Sequence, residues 1–288
     1  MNAGDKKTFD FMFSSYAKVN LFLEVKNKRE DGYHSICTLF SEIDLHDKMK
    51  FTLTKYHDIK LLSNIAELKN QDNLIYKVAV FIQGKYSVNN GAKIELEKNI
   101  PIAAGLGGGS SNCATTIMGL NKLWNLNLDR LQMHDIAAKF GSDINFFLEG
   151  FQAIGTQRGE QIEPVKDKNL HFENILLVNP GFAIMSSEAY ENIDYEAPIQ
   201  EMTKLLQSQD PVYCFNRLES GILKKYPILS EIFTILYTNG AKKVLLSGSG
   251  PTVIGFFQNP GACENAQILM KNKGFWSYIT LTRRRQNK

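Results

Sequence analysis

Apolar and polar side chains alternate over residues 14–25, Ser-Ser-Tyr-Ala-Lys-Val-Asn-Leu-Phe-Leu-Glu-Val, and again over 92–96, which predicts a strand at each place. Further strands are expected through Ile43, at 49–53 and 59–62, in the apolar run 174–179, on either side of a Ser-Gly-Ser-Gly turn at 247–250, and at 275–281. Helical spacing predicts a helix from Asp72, its cap, with Leu74, Ile75, Val78 and Ile82 on one face, and another over 113–124. A third is expected over 128–140, with Leu131, Ile136, Ala137 and Phe140 inward and Gly141 closing it. Ser142 should cap a short fourth helix that has Asp143 in its first turn, and 262–273 should form a fifth.

Between the strand at 92–96 and the helix at 113–124 runs Asn-Ile-Pro-Ile-Ala-Ala-Gly-Leu-Gly-Gly-Gly-Ser-Ser-Asn, residues 99–112. The first turn of a helix carries unpaired N–H groups and the positive end of the dipole, so it attracts an anion without a dedicated side chain. Gly105, Gly107, Gly108 and Gly109 let the backbone approach a ligand closely, and Ser110 and Ser111 can either cap the helix or bond phosphate oxygens. A phosphate cradle follows. It is neither a Walker-type P-loop nor a dinucleotide fingerprint, because Gly-x-x-x-x-Gly-Lys-Ser/Thr and Gly-x-Gly-x-x-Gly are both missing from it.

Other polar residues interrupt apolar runs. Lys18 and Asn20 fall on the same face of the first strand, which is either a solvated face or one that meets an anionic ligand. Asp31-Gly32 marks a hairpin turn. Tyr33 after it offers a flat ring on which a base can stack, and His34 can both donate and accept. A carboxylate at Asp143 is favoured by the helix dipole, either as simple helix stabilisation or as an acceptor for a hydroxyl proton.

Composition narrows the class. With 288 residues, 43% of them hydrophobic, the chain can bury one large or two moderate cores. Lys plus Arg number 33 against 30 Asp plus Glu, and a balance of +3 gives no electrostatic case for nucleic acid. Cys37, Cys113, Cys214 and Cys263 show no paired spacing, and the histidines show no metal-ligand spacing, so reduced thiols, a cytoplasmic setting and no structural metal are expected. No run approaches the roughly 20 apolar residues of a membrane span, and the opening residues lack a signal-peptide core.

Pro101 to Ser111 resembles the Pro-x-x-x-Gly-Leu-Gly-Ser/Gly-Ser-Ser motif of the GHMP kinases, the group that includes galactokinase, homoserine kinase and mevalonate kinase. Ala17-Lys18-Val19-Asn20-Leu21-Phe22-Leu23 and the Arg29 to His34 segment are similar to the Ala-Lys-x-Asn-Leu-x-Leu and Arg-x-Asp-Gly-Tyr-His signatures of one branch, the kinases of 4-diphosphocytidyl-2-C-methylerythritol. Gly141-Ser142-Asp143 and the glycine turn within 243–254 resemble two further family motifs.

The resemblance implies an α+β, two-lobed GHMP kinase fold with the active site in the inter-lobe cleft. The lobes would span 8–165 and 166–288, meeting near Pro164, with Lys166-Asp167-Lys168-Asn169 as a charged linker. It implies a kinase in which Asp143 takes the hydroxyl proton and Lys18 holds the hydroxyl. ATP, with Mg²⁺, would lie over Pro101, Ala104, Gly105, Leu106, Gly107, Gly108, Gly109, Ser110 and Ser111. The acceptor, 4-diphosphocytidyl-2-C-methylerythritol, would meet Asn20, Tyr33, His34, Tyr190, Gly248 and Ser249.

The chain departs from the family at Tyr16, Asn145, Gln157 and Met185. Asn216-Arg217-Leu218-Glu219 resembles a structural family helix, and Arg283-Arg284-Arg285 is expected to be a solvated tail. The expected state is a cytoplasmic monomer or homodimer with no nucleic-acid or membrane partner. Two rivals remain at this point: a mevalonate or homoserine type of GHMP kinase, and a non-catalytic RNA-binding protein.

Overall fold

Two long strands open the fold, β1 (Asp10–Lys28) and β2 (His34–Thr54). The turn between them is closed by Arg29 N–H donating to Tyr33 O at 2.7 Å and by Gly32 at φ +83°. The computed structural model describes residues 10–165, 170–191, 193, 195 and 197–285. The charged stretch 166–169, read above as a linker, lies outside the described residues.

After β2 come β3 (Ile59–Ser63), α1 (Leu74–Lys85), β4 (Gly91–Glu97), α2 (Gly108–Leu123), α3 (Arg130–Ala137), α4 (Ile144–Glu149), β5 (Gln152–Gln157), β6 (Gln161–Pro164) and β7 (Ile175–Asn179). The chain continues through α5 (Ser186–Ala189), α6 (Thr203–Ser208), β8 (Phe215–Asn216), α7 (Glu219–Lys225), α8 (Pro227–Thr238), β9 (Ala241–Leu246), β10 (Val253–Phe257), α9 (Pro260–Asn272) and β11 (Trp276–Thr280). It packs into two compact units interleaved in sequence: Met1–Tyr16, His46–Ile100 and Gly108–Leu148 form one, and Ala17–Leu45, Pro101–Gly107 and Glu149–Lys288 the other.

In the first unit β3 pairs parallel with β4, and β4 pairs antiparallel with Lys48 to Thr54 of β2. Helix α2 comes down on this sheet at Gly119, where a Cβ would lie only 2.6 Å from the Phe51 ring, so a larger residue would hold the helix off. Helix α1 packs on α2 and buries Ile75, Val78 and Ile82 as expected. Its cap is Asn73 rather than Asp72. Asn73 has the extended backbone a cap needs and accepts from Ile75 N–H at 2.9 Å, whereas Asp72 pairs with Lys77 at 3.3 Å.

Helix α3 opens with a capping box formed by Asp129 and Gln132. Leu131 is 76% exposed, contrary to expectation, because it stands five positions before Ile136 and so on another face.

In the second unit Ile36 to Ser41 of β2 pairs with β5, β5 pairs with β6, and β1 meets β8 through Phe22 and Phe215. A separate antiparallel sheet has the order β11-β7-β10-β9, with β7 and β10 buried throughout. Its core joins Leu176, Val178, Leu246 and Val253 to Leu229, Ile232 and Leu236 of α8 and Cys263, Ala266 and Met270 of α9.

Of the arginine run only Arg284 is exposed as expected, whereas Arg283 and Arg285 are tied to the fold. Arg283 pairs with Glu42 at 2.5 Å and lies over the Phe151 ring, and Arg285 donates to the Glu149 carbonyl at 3.3 Å. Both partners are far off in sequence, which is why composition alone suggested solvent. All four cysteines are free, and no helix among the described residues is long and apolar enough to cross a membrane.

Candidate active site

The glycine loop passes from the second unit, Pro101–Gly107, into the first, where Gly108 opens α2. Gly105 and Gly107 hold φ of +75° and +68°. A Cβ on Gly105 would sit 2.4 Å from the Ser247 carbonyl oxygen and 2.7 Å from that of Gly250. Ser247 Oγ also donates to the Gly105 carbonyl at 3.0 Å, so the second glycine turn does press on the first loop. Ala104 and Leu106 are buried, and the Leu106 carbonyl accepts from Lys18 N–H at 2.9 Å.

Ser110 and Ser111 do not cap α2. The helix starts earlier, after the positive-φ Gly107, which puts both serines in its first turn. Ser111 is 2% exposed with its hydroxyl 2.7 Å from Ser15 Oγ, so it serves the core, while Gly109 is exposed and Ser110 half-buried. Any anion at this end is left to the N–H groups of the first turn.

Lys18 is 5% exposed, and its ammonium donates to Asn20 Oδ1 at 2.7 Å. Asn20 Nδ2 donates to Thr38 Oγ1 at 2.8 Å, and that hydroxyl donates to the Phe22 carbonyl at 2.7 Å. The order of donors fixes the Asn20 amide and hence the direction of the ammonium. A Cβ on Gly248 would lie 3.1 Å from Asn20 Oδ1 and 3.5 Å from Lys18 Nζ, which brings the turn carrying Gly248 and Ser249 to this cluster. Asn216 Nδ2 holds that turn by donating to the carbonyls of Leu246 (2.9 Å) and Gly248 (2.7 Å). A buried ammonium aimed in this way is suited to negative charge developing on oxygen.

Asp143 is half-buried and stands immediately before α4, one position earlier than its predicted place in the first turn. It belongs to the first unit and Lys18 to the second. Asn145, one of the departures noted above, is 8% exposed with Oδ1 3.1 Å from His134 Nδ1, a polar link from α4 to α3.

Tyr33, His34 and Tyr190 come together in the second unit around a cavity of about 530 Å³. The His34 ring stacks on Tyr190 at 4.7 Å and 18°, with Tyr195 beyond it at 6.3 Å and 15°. The Arg158 guanidinium lies 5.0 Å from the centroid of Tyr33, which is 57% exposed. Burial, aided by Lys28, holds the His34 imidazole below its ordinary pKa and so neutral at pH 7, with one nitrogen donating and the other accepting.

Arg158 and Tyr195 were missed as wall residues. Tyr195 sits in an aperiodic polar run, and Arg158 in the polar segment Gln157-Arg158-Gly159-Glu160, neither of which carries a local signal for a cavity wall. That glutamine holds φ +60° and accepts from Arg29 Nη1 at 2.5 Å, tying this segment to the hairpin before Tyr33.

The chain matches the family models described as GHMP kinases N terminal domain over residues 73–150 and GHMP kinases C terminal over 188–267. It is 36% identical over 281 residues to a protein from Thermodesulfovibrio yellowstonii named 4-diphosphocytidyl-2-C-methyl-D-erythritol kinase, covering 93% of this chain and 96% of that one. A protein of the same name from a Geobacillus species is 38% identical over 276 residues, covering 93% and 94%. Among solved structures, a 4-(cytidine 5'-diphospho)-2C-methyl-D-erythritol kinase superposes with a TM-score of 0.83 at 28% identity, over 95% of this chain and 100% of the other. A homoserine kinase from Cytophaga hutchinsonii, at TM-score 0.69 and 14% identity over 98% and 96%, shares the fold. Loop, turn and relatives therefore agree: the chain belongs to the GHMP kinases, an α+β fold, in the branch whose members carry the name 4-diphosphocytidyl-2-C-methyl-D-erythritol kinase.

Proposed function

We propose that this protein transfers the γ-phosphoryl group of ATP to the 2-hydroxyl of 4-diphosphocytidyl-2-C-methyl-D-erythritol, in the non-mevalonate route to isoprenoid precursors. The observation that carries the acceptor is the aromatic cavity. The rings of Tyr33, Tyr190 and Tyr195 around a neutral imidazole suit a cytosine, a group that mevalonate and homoserine lack. The names of the full-length relatives support the same acceptor.

Asp143 accepts the hydroxyl proton, and Lys18, directed by Asn20, offsets charge developing on the hydroxyl oxygen. The loop and the first-turn amides of α2 hold the triphosphate, while Tyr33, His34 and Tyr190 hold the base and the Gly248-Ser249 turn lies toward the acceptor's phosphates. Mg²⁺ is expected to arrive with the triphosphate and neutralise part of its charge. Among the described residues no cluster of three or more His, Cys, Asp or Glu could hold a metal, so these residues offer no cage of their own. The lobe boundary expected near Pro164 falls between the two matched family spans, although Pro164 itself lies inside the compact unit that holds Glu149–Lys288, and the free cysteines suit the cytoplasm.

An ADP-release assay with the cytidylyl substrate, mevalonate and homoserine in parallel tests the reading. ADP should appear with the first alone, and CMP should compete with it. Turnover of mevalonate or homoserine at equal or higher kcat/KM would overturn the proposal.

A further inference from the structure

One carboxylate beside the glycine loop takes no part in the chemistry above. Asp47, in β2, is 0% exposed. Its Oδ1 accepts from the backbone N–H groups of Asn99 (2.7 Å) and Ile100 (2.8 Å), the segment entering the loop. Its Oδ2 accepts from Lys98 Nζ at 2.7 Å and from Asn112 Nδ2, in the second turn of α2, at 2.8 Å.

Each partner reaches further. Lys98 Nζ also donates to the Ile100 carbonyl at 2.7 Å, and a Cβ on Gly108 would lie 2.9 Å from it, so the ammonium lies against the residue that opens α2. Asn112 Nδ2 donates to Ser15 Oγ at 2.9 Å, the same hydroxyl that meets Ser111. Burial holds the Lys98 ammonium below the ordinary lysine range, and Asp47 offsets part of that effect.

A buried ion pair is a weak source of stability, because desolvation consumes most of the attraction. Its presence under this loop has a better account in geometry. One carboxylate joins the incoming segment at 99–100 to the helix at 112, and the ammonium fixes the level of Gly108 between them. The first-turn amides are then in place before any ligand arrives, which lowers the ordering cost of binding.

We propose that Asp47, acting through Lys98 and Asn112, is the positioning residue that sets the glycine loop for the nucleotide triphosphate, so that its loss weakens engagement of ATP and leaves the acceptor alone. This rests on reading the loop as the ATP site. Two variants separate positioning from mere stability: Asn112→Ala, which removes one donor, and Asp47→Asn combined with Lys98→Met, which removes both charges together.

KM for ATP is expected to rise about tenfold in each, the cost of a charge-assisted hydrogen bond, while KM for the cytidylyl substrate stays within about twofold. The double variant should melt close to the wild type, because a buried pair is replaced by neutral groups of similar volume. An unchanged KM for ATP in a folded double variant, or both KM values rising together, would overturn the role. Should the double variant fail to fold, an unchanged KM for ATP in Asn112→Ala overturns it alone. Calorimetry of wild-type protein with ATP stands apart: no binding there defeats the ATP reading of the loop itself.

Discussion

Asp143→Asn keeps size and polarity but removes the capacity to take a proton. We expect kcat with the cytidylyl substrate to fall by about 10² to 10⁴, with KM for ATP little changed, as read from ADP release. Gln157 allows a different test, because its left-handed backbone costs about 1 kcal/mol or more in a residue with a Cβ, while its side chain anchors Arg29. Gln157→Gly should relieve the backbone and free the hairpin that carries Tyr33. Its melting temperature should be unchanged or higher while KM for the cytidylyl substrate rises. A variant whose KM stays at the wild-type value would show that the hairpin needs no such tie.

The two glycine segments act together through close backbone contact. Gly105→Ala puts a Cβ into the Ser247 carbonyl at a positive φ, so a loss of at least about 1 to 3 kcal/mol is expected in thermal unfolding. Gly109→Ala is its counterpart, since a Cβ there meets nothing within 4 Å and alanine suits a helix. It should melt at or above the wild type, and any rise in its KM for ATP reports on ligand approach alone.

The strand leading to the second turn is held by Glu219, whose Oε2 accepts from Leu246 N–H at 3.0 Å and whose pKa burial pushes up to about 7 from 4.5. The folded state therefore holds this proton more tightly than the unfolded one, and stability falls as pH rises from 4.5 through 7. Glu219→Gln keeps the acceptor and removes the charge. Its advantage in unfolding free energy should be nil below pH 4.5 and grow to at most about 3 kcal/mol above pH 8.

What could be read before the fold was known was local. The glycine loop, the hairpin, the buried faces of α1 and the strands at 92–96 and 174–179 are written in contiguous residues, and so were the Lys18, Asp143 and Tyr33-His34 candidates. Asp47 was illegible because its donors lie 51 to 65 positions away. Arg283 was illegible because Glu42 is 241 positions distant. The same long reach has a consequence during synthesis. Glu42 leaves the ribosome 241 positions before its partner Arg283, and Ile43 likewise long before Thr282. The second unit must therefore wait for that intervening stretch to be translated before it can close, and a chaperone that shields the nascent β1–β2 hairpin would have that interval in which to act.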